Sequence, residues 1–179
     1  MAHPVRLTAQ ALAVAVVVGL LALLVWRVAH DDNNGVSQAL HAGEHPTAPT
    51  FDLERLDGRG RIDLASLRGK KPIVLDFWAS WCVPCIEESK RLQAALERYG
   101  DRIAFVGVDT KDFSEDALRW QRKHGITYPS VHDGSGKVLA KWGGLPIPRI
   151  FFITRNGKVA GELIVEEDLP RYLRQIASS

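Results

Sequence analysis

Asp76-Phe77-Trp78-Ala79-Ser80-Trp81-Cys82-Val83-Pro84-Cys85 carries the chain's two cysteines, between an apolar run, Ile73 to Phe77, and a helix-like run that starts at Val83. If a helix opens at Val83, residues three apart share a face, so the two thiols stand close enough to join or to attack one another. Cys82 then falls at the helix start, where unpaired N–H groups and the macrodipole favour a thiolate. Its pKa is expected below the free-thiol value of about 8.5. Pro84 suits a first helical turn, where no intrahelical donor is missed.

Other uses of the pair are weaker. A structural disulfide across so short a loop gains little chain entropy. Structural zinc needs four ligands, and the sequence has no second cysteine pair and no His-x3-His partner. Two-coordinate Cu(I) binding stays open, because soft thiolates select that ion. Composition bounds the rest: 179 residues, 46% of them hydrophobic, make one ordinary domain with appendages. A net charge of +2 points to no nucleic-acid or acidic partner. There is no internal repeat or low-complexity tract.

From Ala11 to Trp26 every residue is apolar, and Val5, Leu7, Val28 and Ala29 extend the stretch toward the roughly 20 residues that span a bilayer. Residues 1–30 therefore read as a single transmembrane anchor. The charges around it, Arg6 before and Arg27, Asp31 and Asp32 after, give a slight bias that leaves the rest of the chain outside the cytoplasm. A cleaved signal peptide is the alternative, opposed by Trp26-Arg27 and by the want of a small-x-small site close behind. No cysteine near the N-terminus is expected to carry a lipid. Residues 31–50, with Asn33-Asn34-Gly35, Pro46 and Pro49, read as a flexible linker. The folded domain is expected over 51–179.

Within it the elements alternate. Phe51 to Leu56 and Ile62 to Leu64 suggest a hairpin around Asp57-Gly58. Ile73 to Phe77 reads as a strand buried on both faces, followed by a helix to Tyr99 with an inward stripe at Cys85, Leu92, Ala95, Leu96 and Tyr99. Ile103 to Val108 is a second strand. Ser114 to His124 is a helix, with Ser114 as N-cap and Gly125 as its stop. Ile150 to Ile153 and Val159 to Val165 flank Asn156-Gly157, a hairpin signal, and Leu169, Tyr172, Leu173 and Ile176 mark a terminal helix. This order predicts an α/β sandwich with a mixed central sheet.

The segment Asp76 to Cys85 resembles the active-site segment of the thioredoxin superfamily. Ala48-Pro49-Thr50-Phe51-Asp52-Leu53, Ser66-Leu67-Arg68-Gly69-Lys70 and the apolar N-terminus resemble a narrower group, the membrane-tethered thiol-disulfide oxidoreductases of the TlpA and ResA type. The likeness runs over about residues 48 to 177 and implies a thioredoxin-like three-layer sandwich. It also implies roles. Cys82 attacks a client disulfide and Cys85 resolves the mixed disulfide. An acid three residues after the second cysteine, here Glu88, assists it; helical spacing turns Glu88 inward and Glu87 away, and desolvation is expected to raise its pKa. An acid behind the pair, here Asp76, is costly in an apolar strand unless neutral or paired; many tethered relatives carry Asn there, so Asp76 leans toward ordinary thioredoxin, with an edge-placed, solvated Asp76 as the alternative. If both acids face the cysteines they titrate as a set.

The superfamily places a cis proline opposite the cysteines. Of Pro146 and Pro148, the resemblance implies Pro148, since in the related pattern the proline stands three residues before a strand aromatic and nine before the turn glycine, here Phe151 and Gly157; the Ile147 backbone is then expected to pair with an extended client. Trp81 offers an apolar docking face, whereas Trp78 serves equally well as core. His124 and His132 read as surface or turn residues.

Together these readings describe a monomeric, membrane-anchored, extracytoplasmic protein-disulfide reductase without cofactor or metal. Its partners would be disulfide-containing clients, with cytochrome c or copper-site cysteines among them, and a membrane electron donor that passes thiol electrons. A disulfide-forming oxidase and a Cu(I) chaperone using the same cysteines are the alternatives. A peroxidase is disfavoured, because no threonine stands before Cys82 to activate a peroxide.

Overall fold

The computed structural model describes residues 3–29, 35–163 and 168–178. The chain divides into two compact units, Met1–Asp32 and Asn33–Ser179. The first contains helix α1 (His3–Ala29), 27 residues long, whose aliphatic side chains from Leu12 to Val25 are exposed. Side chains in α1 are described only at residues 10 and 12–26, and among the described residues no helix is long and apolar enough to cross a membrane.

The second unit is built on a five-stranded mixed sheet, in the order β5-β4-β3-β6-β7. Strands β3 (Ile73–Trp78), β4 (Ala104–Thr110) and β5 (Ser130–Asp133) run parallel, whereas β6 (Arg149–Ile153) and β7 (Val159–Leu163) are antiparallel to their neighbours. Every residue of β3 is buried, as its central place in the sheet requires. On one face of the sheet, α4 (Cys85–Tyr99), α5 (Ser114–Lys123) and α7 (Leu169–Ala177) pack Leu92, Trp120 and Leu173 with Val74, Trp78 and Phe152. On the other, α2 (Val36–His41), α3 (Leu64–Leu67) and α6 (Lys137–Trp142) bring Val36, Leu64 and Trp142 onto Leu75, Phe77 and Phe151. A separate two-stranded sheet, β1 (Asp52–Glu54) with β2 (Arg61–Asp63), is the expected N-terminal hairpin. Asn156-Gly157 turns the β6–β7 hairpin, with Gly157 at φ 81°, a conformation that costs glycine little.

Several expectations change. The 31–50 segment holds α2, with Val36, Ser37 and Ala48 buried, because Val36, Leu40 and Ala48 pack on the core and Ser37 Oγ donates to the Trp142 carbonyl at 2.9 Å. Farther on it binds backbone to backbone: Val159 N–H donates to Pro46 and Ala48 N–H to Gly157, each at 2.9 Å, while Leu56 N–H donates to Ser130 at 2.9 Å. Both β5 and α6 escape the sequence pattern. The strand has four residues, Ser, Val, His and Asp, and the helix six, so tertiary contacts decide both. Helix α4 starts at Cys85, because single-turn bonds from Cys85 N–H to Cys82 and from Ile86 N–H to Val83 precede it and Pro84 can donate none. Phe113, not Ser114, stands at the start of α5. Positions 30–34 of the expected linker and the extension of β7 to Val165 lie outside the described residues.

Candidate active site

Strand β3 ends at Trp78, and the loop Ala79–Pro84 carries the first cysteine from the sheet to α4. Cys82 and Cys85 form a disulfide, with Cα atoms 5.4 Å apart. Both sit in the core cluster under α4 and α5; Cys85 is fully buried and Cys82 retains 4% of its surface. A client therefore meets the edge of Cys82 first, flanked by Trp81 at 52% exposure and by the exposed Val83.

The loop is tied from the side. Ser80 N–H donates to Asp112 Oδ2 at 2.5 Å, and the Trp81 indole N–H donates to the Lys111 carbonyl at 3.1 Å. Lys111 adopts φ 50°, a left-handed turn that few residues take without help. Behind it lies a second acid, Asp109, with no exposed surface; burial first, then the neighbouring Asp112 carboxylate, pushes its carboxyl up to about 8. His132 Nδ1 lies 2.6 Å from Asp109 Oδ2. The expectation of a surface or turn His132 is thus corrected: it is a half-buried strand residue facing an acid, because β5 aligns it with Asp109. His124 follows α5, half-buried, its ring 4.7 Å from that of Trp120. Trp78 is core, stacked on Trp120 at 4.6 Å.

Asp76 is fully enclosed in β3. Burial pushes its carboxyl up to about 7, while the hydrogen bond from the Tyr128 hydroxyl to Oδ2, at 2.8 Å, pulls it down. On α4 the two glutamates separate as helical spacing predicts. Glu88 is buried, whereas Glu87 is exposed and pairs with Lys90 at 2.8 Å. The Asp76 carboxyl, at about 7, is half-ionised near neutrality, as a group that takes and returns a proton must be.

The loop between α6 and β6 completes the surroundings. Both Leu145–Pro146 and Ile147–Pro148 are cis, so the expected cis Pro148 has a second beside it that the sequence pattern does not reveal. The register Phe77↔Arg149 sets Pro148 beside the end of β3 where the cysteine loop departs, and Ile147 packs on the cluster that holds both sulfurs. Arg149 points into the opposite face, where it pairs with Glu162 at 3.1 Å and donates to Ser37 Oγ at 2.8 Å. Tyr128, Asp112 and Arg149 were not singled out from sequence. A buried acid in β3 implied a partner, but nothing in the spacing named Tyr128, 52 positions away.

Residues 45–161 match the AhpC/TSA family model. The chain belongs to this family. Its relatives are thioredoxin-like thiol-disulfide oxidoreductases. The thiol-disulfide oxidoreductase ResA of Bacillus thuringiensis is 29% identical over 133 residues, which cover 72% of this chain and 76% of that protein. A thiol:disulfide interchange protein DsbE homolog of Paracoccus denitrificans is 30% identical over 170 residues, covering 92% of this chain and 91% of the other. The crystal structure of a thioredoxin-family thiol:disulfide interchange protein from Chlorobium tepidum superposes with a TM-score of 0.66 at 26% identity, covering 75% of this chain and 97% of that one. The fold is thioredoxin-like, and the family member described here is a thiol-disulfide oxidoreductase of the ResA and DsbE type.

Proposed function

We propose that this family member reduces disulfides in extracytoplasmic proteins. The Cys82 thiolate attacks the client disulfide, and Cys85 releases the reduced client by attacking Cys82. Asp76 takes the proton of Cys85, Glu88 supports that transfer from the first turns of α4, and Trp81, Ile147 and Pro148 receive the client segment. The observation that carries the reading is the enclosed Asp76 carboxyl, set at about 7 and linked through Tyr128 to the core cluster that contains both sulfurs. In an oxidising compartment the pair would rest as a disulfide, so a membrane protein that passes thiol electrons must recharge it. The resemblance to ResA and DsbE supports haem-attachment cysteines of cytochromes c, or copper-site cysteines, as clients.

Residues 1–30 serve in this reading as the anchor, residues 31–50 as the connection and residues 51–179 as the catalytic domain on the outer side. The 27-residue α1 and the uncharged run from Ala11 to Trp26 support the anchor, and release into the soluble fraction on cell breakage would count against it.

The deciding experiment is the reduction potential of the full chain in mild detergent, equilibrated with dithiothreitol or glutathione buffers. A value near or below the roughly −270 mV of thioredoxin supports the reductase. A value nearer −120 mV, as in DsbA, overturns it in favour of a disulfide-forming oxidant.

A further inference from the structure

Tyr128 stands outside the cysteine motif, in the stretch that joins α5 to β5. Its ring is buried in the cluster that holds Cys82, Cys85 and Trp78. Its backbone is pinned as well: Gln121 Nε2 donates to the Tyr128 carbonyl at 2.8 Å and to Ser130 Oγ at 3.1 Å. From that fixed position the phenol O–H donates to Asp76 Oδ2 at 2.8 Å. The neighbours of Asp76 within the sheet offer it nothing comparable, since its register partners are Gly107 on β4 and Ile150 on β6.

We propose that Tyr128 is a positioning residue for the proton step of thiol exchange, holding the Asp76 carboxyl by Oδ2 so that Oδ1 is the oxygen that takes the proton of Cys85. The inference rests on Asp76 being the proton acceptor. In the resolving step the Cys85 S–H proton passes to Asp76 Oδ1 and the sulfur's electron pair forms a bond to Cys82 Sγ. The bond between Cys82 and the client sulfur breaks, and the client leaves as a thiolate. Tyr128 keeps its own proton throughout, donating to the carboxylate before the transfer and to the carboxyl oxygen after it. A donated hydrogen bond is stronger toward the charged form, so Tyr128 opposes the effect of burial and keeps Asp76 ionisable near neutrality.

Other titratable groups come to this region from several elements. Glu88 on α4 acts on the Tyr128 hydroxyl through its charge, Cys85 opens the same helix, and Asp109 on β4 is the register partner of Trp78. Tyr128 itself is held neutral, its pKa driven well above the ordinary value by burial and then by the Asp76 charge. The Tyr128 hydroxyl donates to Asp76 Oδ2.

The test uses the full chain, pre-reduced, in single-turnover reaction with glutathione disulfide and followed by tryptophan fluorescence from about pH 5 to about pH 9. The parent is expected to show a rate midpoint near the Asp76 value of about 7. Tyr128→Phe is expected to move that midpoint up by about one unit, a loss of about tenfold on its acid side, with the alkaline plateau little changed. Replacement of Tyr128 by 3-fluorotyrosine, nearly isosteric and more acidic, is expected to move it down; this arm decides the matter if Tyr128→Phe fails to fold. Asp76→Asn separates the two levels. If Asp76→Asn abolishes the midpoint while neither Tyr128 substitution moves it, the inference is overturned and Asp76 stands as the acceptor. If Asp76→Asn keeps the midpoint, the assignment of Asp76 fails, and the role of Tyr128 with it.

Discussion

Asp76→Asn should make the second unit more stable at neutral and alkaline pH, and the size of the gain follows from burial. The folded-state carboxyl stands at about 7 against an ordinary 3.8. The folded chain therefore holds this proton more tightly than the unfolded chain does. Stability declines as pH climbs from about 4 to about 7, and the whole penalty is present above that window. Three pH units at about 1.4 kcal/mol each give about 4 kcal/mol, with no discount for solvent because the group is enclosed. Asparagine keeps the shape and an oxygen for the Tyr128 hydroxyl but cannot ionise, so the penalty disappears. Urea unfolding of oxidised Asn33–Ser179 at about pH 4, 6 and 8 is the assay. Parent and variant should coincide at the lowest pH and separate by about 2–4 kcal/mol at the highest. A difference that does not grow with pH, or a variant less stable than the parent at pH 8, would refute the assignment of an enclosed, strained-toward-neutral carboxyl.

Cys85→Ser should trap client mixed disulfides on Cys82, visible as adducts on non-reducing gels, whereas Cys82→Ser should trap none. Asp112→Ala removes the acceptor for Ser80 N–H; a loss of about 1–3 kcal/mol is expected, accompanied by a changed reduction potential, and an unaltered potential would mean the tie does not reach the sulfurs. Arg149→Ala leaves the enclosed Glu162 side chain without its partner and should cost about 3–5 kcal/mol by chemical denaturation, while Arg149→Met combined with Glu162→Met should cost much less.

Much of the chemistry could be read from the chain because it is local. The cysteine spacing, the inward turn of Glu88, the lone acid in an apolar strand and the Asn156-Gly157 hairpin each depend on neighbours within a few residues. What escaped depends on distant contacts. Tyr128 is one aromatic residue among several until β3 and the α5–β5 connection bring it to Asp76. Asp112 reaches Ser80 across 32 positions, and His132 reaches Asp109 across 23. Strand β5 and helix α2 are too short for periodicity to speak, and it is their docking on the core that orders them. The same holds for the loop at Pro146, whose cis bond no local pattern distinguishes from the usual trans form.

The backbone bonds of residues 46–48 and 55–56 bear on how copies of the protein behave beside one another. Strands β5 and β7 form the two rims of the central sheet, and an open rim invites another chain to add a strand. Thr47 bridges to Lys158 with Val159 N–H bonded to Pro46, and Arg55 bridges to Val131 with Leu56 N–H bonded to Ser130. One stretch of chain thus covers part of both rims. A chain trimmed to begin at Phe51 loses the cover on β7 and keeps the cover on β5. It should therefore associate through one rim alone, giving dimers rather than open-ended polymers.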